Sequence, residues 1–315
     1  MGGQTLMLFD LHCDTILRIY GDQTQFRKND YHIDSEKMIK GDSIAQFFAM
    51  FVDLEKTKNP YDTCNEMIDC FEYEIRENEH MIKAGTTSID IEENYRSDKV
   101  TGIITIEEGA VLEGDITNLN HFYDRGVRSI TLTWNYENEI GYPNCKETYM
   151  DKGLKPFGLE VIKKMNELNM LIDVSHLSDG GFWDCINHSV KPIIASHSNA
   201  RTMQNVSRNL TDDMILALRD KGGVMGMNFC SFFLDGSEIS KVSSIVDHIR
   251  YIYDLAGIDV IAIGSDFDGI GGTLEIEDMS KIYLLTEALL EDGFTEEEVD
   301  KILYKNALRV YSTVL

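Results

Sequence analysis

A chain of 315 residues with 43% hydrophobic and 26% charged residues has the balance of a globular protein with enough apolar surface for a large core. Its 29 basic and 54 acidic residues leave a net charge of -25, which excludes a binder that neutralises nucleic-acid phosphates and disfavours an anionic membrane surface. No run approaches the ~20 apolar residues of a membrane span. The six cysteines include no CxxC pair. With no export signal in the sequence, reduced thiols and a cytoplasmic location are the expectation.

Only four prolines occur, and no Gly-, Ser- or Pro-rich linker interrupts the chain, so residues 1–315 read as a single domain. In chain order, apolar runs predict strands at Leu6–Leu11, Ala45–Val52, Gly102–Ile106, Ser129–Thr133, Leu171–Val174, Pro192–Ala195, Gly223–Asn228 and Val260–Gly264. Helical periodicity fills the gaps at Tyr61–Ala84, Thr117–Arg125, Gly158–Leu168, Gly180–His188, Thr211–Asp220, Val242–Ala256, Lys281–Glu291 and Glu296–Tyr311. Thr211-Asp212-Asp213 has the form of an N-cap with acids in the first turn, and Thr295-Glu296-Glu297-Glu298 that of a capping box. Several strands are apolar throughout, as burial on both faces requires. Eight strands alternating with helices give the count of a (β/α)8 TIM barrel; an open doubly wound sheet is the alternative.

The polar residues of interest follow the apolar runs, where a barrel carries its catalytic face. In Asp10-Leu11-His12-Cys13-Asp14, residues two apart on an extended chain share a side, so His12 and Asp14 can share one metal. A lone HxD is equally a histidine hydrogen-bonded to its neighbour. Glu107-Glu108-Gly109 closes a buried strand with two carboxylates, of which only one easily faces the mouth; a metal would offset the cost of burying it. Asp173-Val174-Ser175-His176 and Ala195-Ser196-His197-Ser198 each end an apolar strand in an imidazole, a ligand suited to zinc. Gly264-Ser265-Asp266-Phe267-Asp268-Gly269 combines a turn with a carboxylate, Asp266, that can take a proton from a metal-activated water. Together these residues suffice for two zinc ions bridged by a carboxylate and a water.

Residues in this order resemble the membrane (renal) dipeptidase family of the amidohydrolase superfamily. The likeness is strongest in TLTWNYEN, IDVSHLSD, ASHSNAR, SRNLTDD and GSDFDG. It implies a (β/α)8 barrel, a homodimer, two Zn2+ per chain and hydrolysis of dipeptides, with a C-terminal D-residue tolerated. By resemblance, His12 and Asp14 hold the first zinc, and His176 and His197 the second. Glu108 bridges them, because the family's Glu directly precedes a Gly. Asp266 moves the proton, and Arg208 anchors the substrate carboxylate, for which a planar guanidinium is suited.

One position departs from the pattern. Mammalian members place a His after the fourth strand to stabilise the tetrahedral intermediate, and Trp134 stands there in this chain. Asn135 or Tyr136 then supplies the donor, or the metals act alone. A related deacylase or lactonase is the alternative function.

Overall fold

The computed structural model describes residues 7–315. Eight parallel strands form its centre: β1 (Leu8–Cys13), β2 (Ser43–Phe51), β3 (Val100–Glu107), β4 (Val127–Thr131), β5 (Leu171–Asp173), β6 (Ile194–Ala195), β7 (Val224–Met227) and β8 (Ile261–Ile263). Each pairs with its neighbours in chain order, and β8 closes on β1 through Asp10 and Ile263. The ring is the (β/α)8 barrel that the sequence predicts, and the open sheet is excluded. All eight predicted strands lie on observed ones; Leu6 of the first falls outside the described residues.

Residue parity along each strand separates two apolar layers. On β3, Val100, Ile104 and Ile106 pack outward against the helices, whereas Ile103 joins an inner cluster with Phe9, Phe47, Leu171 and Val224. Glu107 shares the inward parity of Ile103. The last helix, Asn306–Val314, crosses the N-terminal end of the barrel. Its Arg309 donates to the carbonyls of Gly222 and Asp259, just ahead of β7 and β8. Its Tyr311 packs edge-on against Phe9 and Phe47, with ring centroids 5.8 and 6.0 Å away. This end is therefore filled with side chains.

Thr211 and Thr295 cap their helices, and the Thr295–Glu298 capping box forms in full. Three predicted helices differ in extent. The one read over 61–84 spans Pro60–Glu77, and Ile82–Ala84 is a ninth strand on the start of β3, where β4 has not yet begun. The one read over 281–291 is a short turn at Met279–Lys281 followed by a helix at Tyr283–Glu291. The one read over 296–311 contains a π-turn at Lys301–Lys305. Helices at Thr15–Asp22, Ser35–Lys40 and Ser88–Arg96 were not anticipated. Among the described residues, no helix is long and apolar enough to cross a membrane. All six cysteines are free.

Candidate metal centre and active site

The C-terminal ends of β1, β3, β5, β6 and β8 bring His12, Asp14, Glu107, His176, His197 and Asp266 together in one buried cluster. His12 Nε2 lies 3.4 Å from Asp14 Oδ2, 3.4 Å from Glu107 Oε2 and 3.8 Å from Asp266 Oδ1. Glu107 Oε1 lies 3.1 Å from His176 Nε2 and 3.4 Å from His197 Nε2. The two oxygens of Glu107 thus face two different groups of donors. Backbone geometry assists: His176 and Asp266 adopt left-handed φ values of 65° and 61°, which non-glycine residues rarely take and which occur where a site demands them.

Hydrogen bonds on the far ring nitrogens fix how the imidazoles present themselves. Nδ1 of His197 contacts the Ser196 hydroxyl at 2.7 Å, and Nδ1 of His176 faces the amide oxygen of Asn135 at 3.3 Å. That amide oxygen can only accept, so Nδ1 of His176 carries the proton and its Nε2 presents a lone pair. Burial, with the cation of Arg208 nearby, pushes His176 down to about 4, and burial with His12 and Arg208 holds His197 well below its ordinary value. Both rings are therefore neutral near pH 7, with their Nε2 atoms 3.1 Å apart and next to a carboxylate oxygen. Two imidazole nitrogens and a carboxylate oxygen converge, an arrangement that suits a cation. Burial alone would depress His12, but Glu107 and Asp14 beside it raise it well above its ordinary value. His12 Nε2 and Asp14 Oδ1 are buried without a hydrogen-bond partner. The donor set, imidazole and carboxylate, fits zinc.

The expected carboxylate at the centre, Glu108, is not there. Its backbone turns sharply, with φ at 102°, and its side chain accepts from the backbone N–H groups of Ala110 (2.9 Å) and Trp134 (3.0 Å) and from the Asn138 amide. The correction follows from strand parity, because adjacent residues of an extended strand face opposite sides. Burial raises the Glu108 carboxyl to about 7.

Around the cluster opens a cavity of about 580 Å³, walled by Phe51, Trp134, Asn135, Cys230, Phe233 and Ile270. Asp266 borders it and accepts from Asn228 Nδ2 at 2.8 Å. Burial pushes its carboxyl up to about 7, and the neighbouring Asp14 and Glu107 add to the rise. Arg208 is buried with one hydrogen bond, from Nη1 to the Ser198 hydroxyl at 3.1 Å. Its Nε and Nη2 have no partner. Trp134 stands edge-on to Phe51, 4.7 Å between centroids, and tilts toward His176. Gly269 lies directly against the cluster: a Cβ there would be 2.0 Å from Asp14 Oδ2 and 2.7 Å from Asp266 Oδ1. Sequence reasoning gave Asn228 no role and read Gly269, at the end of the GSDFDG stretch, only as part of a turn. It also left Glu107 unassigned.

A buried set of imidazoles and carboxylates at the C-terminal face of a (β/α)8 barrel defines a metallohydrolase. Residues 3–315 match the family model described as membrane dipeptidase (peptidase family M19). The chain belongs to that family and is a metallo-dipeptidase. An uncharacterized protein from the pqqA 5′ region of Klebsiella pneumoniae is 40% identical over 233 residues, 70% of this chain and 85% of that one. An uncharacterized dipeptidase of Schizosaccharomyces pombe is 31% identical over 300 residues, covering 89% of this chain and 71% of its own. Among solved structures, the metallopeptidase dipeptidase AC superposes with a TM-score of 0.92 at 24% identity over 99% of both chains. A Rhodobacter sphaeroides metallopeptidase, solved with a phosphinate mimic of L-Ala-D-Ala, gives 0.91 at 23% identity over 99% of this chain and all of its own. These two likenesses speak for the fold.

Proposed function

We propose that this enzyme hydrolyses dipeptides, including those with a C-terminal D-residue, with two zinc ions as cofactors. The observation that carries the reading is Arg208, a buried guanidinium with two unpaired donors beside the candidate metal ligands. A buried cation without a partner is costly unless a ligand anion completes it, and a planar guanidinium takes a carboxylate through two hydrogen bonds. A free α-carboxylate held there limits the length of peptide that can reach the metals. The Rhodobacter enzyme's L-Ala-D-Ala mimic is consistent with such a substrate.

His12, Asp14 and one oxygen of Glu107 would hold one ion; His176, His197 and the other oxygen of Glu107 would hold the second. Bound there, the pair supplies Lewis acidity and a water that ionises near pH 7. Asp266 takes the proton of the attacking water and returns it to the leaving amine, for which a carboxyl titrating at about 7 is well matched. Trp134 shapes the pocket and excludes water, and Asn135 orients His176 from behind. The free thiols support a cytoplasmic location, and the family resemblance supports a homodimer, which light scattering tests.

The deciding experiment is amine release from L,L- and L,D-dipeptides, matched tripeptides and C-terminally amidated dipeptides, using protein loaded with two equivalents of zinc. Cleavage of dipeptides alone supports the proposal. Equal cleavage of the amidated forms removes the role of Arg208, and cleavage of lactones or acylated amino acids in place of dipeptides replaces the substrate.

A further inference from the structure

One layer below the candidate metal ligands, inside the barrel, lies a buried carboxylate for which the reaction has no use. Asp173 ends β5 with four donors around it. Its Oδ1 accepts from the backbone N–H of Ser175 at 3.0 Å and of Ser196 at 2.9 Å. Its Oδ2 accepts from the Thr131 hydroxyl at 2.6 Å and from the Ser196 hydroxyl. The same Ser196 oxygen meets Nδ1 of His197 at 2.7 Å.

The direction of this chain follows from the chemistry of its members. Two of the donors to Asp173 are backbone N–H groups and cannot reverse. A carboxylate only accepts, so the single proton of the Ser196 hydroxyl points at Asp173. The Ser196 oxygen then accepts from His197, and the imidazole proton must sit on Nδ1. The lone pair of Nε2 is thereby aimed at Glu107 and His176. We infer that Asp173, which touches neither metal nor substrate, is a positioning residue that fixes the His197 tautomer through the hydroxyl of Ser196. His176 lacks this arrangement, since its Nδ1 ends on the neutral Asn135 amide. The two imidazoles of the second metal subsite therefore differ: His197 is locked by a buried charge, and His176 is held by a rim residue. The inference rests on the ligand roles proposed above for its consequence at the metal, but its structural content is independent of them.

Asp173→Asn tests it with almost no change of shape. The amide oxygen can keep both backbone N–H bonds, while its NH2 group replaces Oδ2 and donates to the Thr131 and Ser196 hydroxyls. Ser196 then donates to His197, moving the ring proton to Nε2, the atom meant for the metal. The same substitution in a triad's orienting carboxylate selects the wrong tautomer. Two readouts separate the possibilities. In metal-free protein, the ¹⁵N shifts of the His197 ring should report Nδ1–H in the wild type and Nε2–H in Asp173→Asn. In chelator competition, the variant should bind its weaker zinc equivalent about 10–100-fold less tightly, as expected for loss of an orienting partner.

Thr131→Val, which removes a bond to the same carboxylate without interrupting the chain, should leave the tautomer unchanged. Where Asp173→Asn does not fold, Ser196→Ala breaks the chain at its middle and should abolish the fixed Nδ1–H state. An unchanged tautomer in Asp173→Asn or Ser196→Ala overturns the inference, even if zinc affinity falls. A shifted tautomer in a protein whose wild type binds no second zinc leaves the relay standing and refutes the ligand roles instead.

Discussion

Glu107 on β3 and His176 after β5 meet across the mouth of the barrel, Oε1 to Nε2, at 3.1 Å. The next residue, Glu108, takes no part in that contact and instead secures the loops that follow β3 and β4. The two glutamates should therefore respond differently to mutation. Glu107→Ala should strip zinc, measured by elemental analysis after dialysis, and abolish turnover. Glu108→Gln should keep two equivalents while lowering Tm by a few degrees, since losing one acceptor of a buried, fully bonded group costs ~1–3 kcal/mol. The reverse pattern would restore Glu108 as the bridge.

Asp266 borders the cavity with one oxygen held by Asn228, and its proposed task is proton transfer rather than binding. Asp266→Asn should retain its metals and KM yet lose ~10²–10⁴ in kcat, the usual contribution of a positioned acid–base group. Undiminished kcat in a zinc-replete variant would remove Asp266 from the mechanism.

Arg208→Ala should act mainly on KM, reducing kcat/KM for dipeptides by roughly 10²-fold, because a buried ion-paired contact is lost. Arg208→Lys should restore little, as an ammonium cannot present the planar fork. The control is a C-terminally amidated dipeptide, slow for both enzymes and equally so. An amide that discriminates between them would mean that Arg208 serves another part of the substrate.

Gly269 tests how closely the site is built. Gly269→Ala would drive a methyl against Asp14 and Asp266, both belonging to the site rather than to a flexible surface chain. Activity and zinc content should fall together while the far-ultraviolet circular dichroism spectrum stays unchanged.

Metal-free protein should also show a distinctive pH response. Burial raises Asp14 to about 6, and Asp266 and Glu108 to about 7. The unfolded carboxyls titrate near about 4, so the folded chain holds extra protons and loses stability as pH rises towards 7. His176, pushed down to about 4, acts in the opposite sense below about pH 6.5, where only the unfolded imidazole is protonated. His12, raised above its ordinary value, adds to the loss at higher pH. Thermal scans of the chelated enzyme should therefore give a lower Tm at pH 8 than at pH 6.5, with zinc abolishing the difference. A higher Tm at pH 8 would contradict these environments.

The barrel was legible because parallel strands covered on both faces must be apolar runs, and Ile103-Ile104 or Ile261-Ala262-Ile263 cannot hide that requirement. Ile82–Ala84 was read as helix because a three-residue strand carries no period of its own and follows a long amphipathic stretch. The clustering of His12, His176, His197 and Asp266 could be anticipated from their places at strand ends. Glu107 and Glu108 were exchanged because the motif-level likeness selected the residue before the Gly, and a strand apolar on both faces, as in Ile103-Ile104, does not reveal in sequence which of two adjacent residues points inward. Asp173 and Asn228 stayed hidden for another reason: their contacts join strands far apart in sequence, and no local pattern encodes such a meeting.

Tyr311, Phe9 and Phe47 stop the barrel at its lower end. With that end filled among the described residues, the active-site cavity is a well that opens at the opposite, C-terminal face. Both amino acids released by a turnover must back out past the walls of Trp134 and Phe233 before the next substrate can enter. If Arg208 holds the substrate's C-terminal carboxylate as proposed, the C-terminal amino acid would leave against that grip. Release order, and inhibition by one product more than by the other, are therefore consequences of a floor at the far end of the molecule.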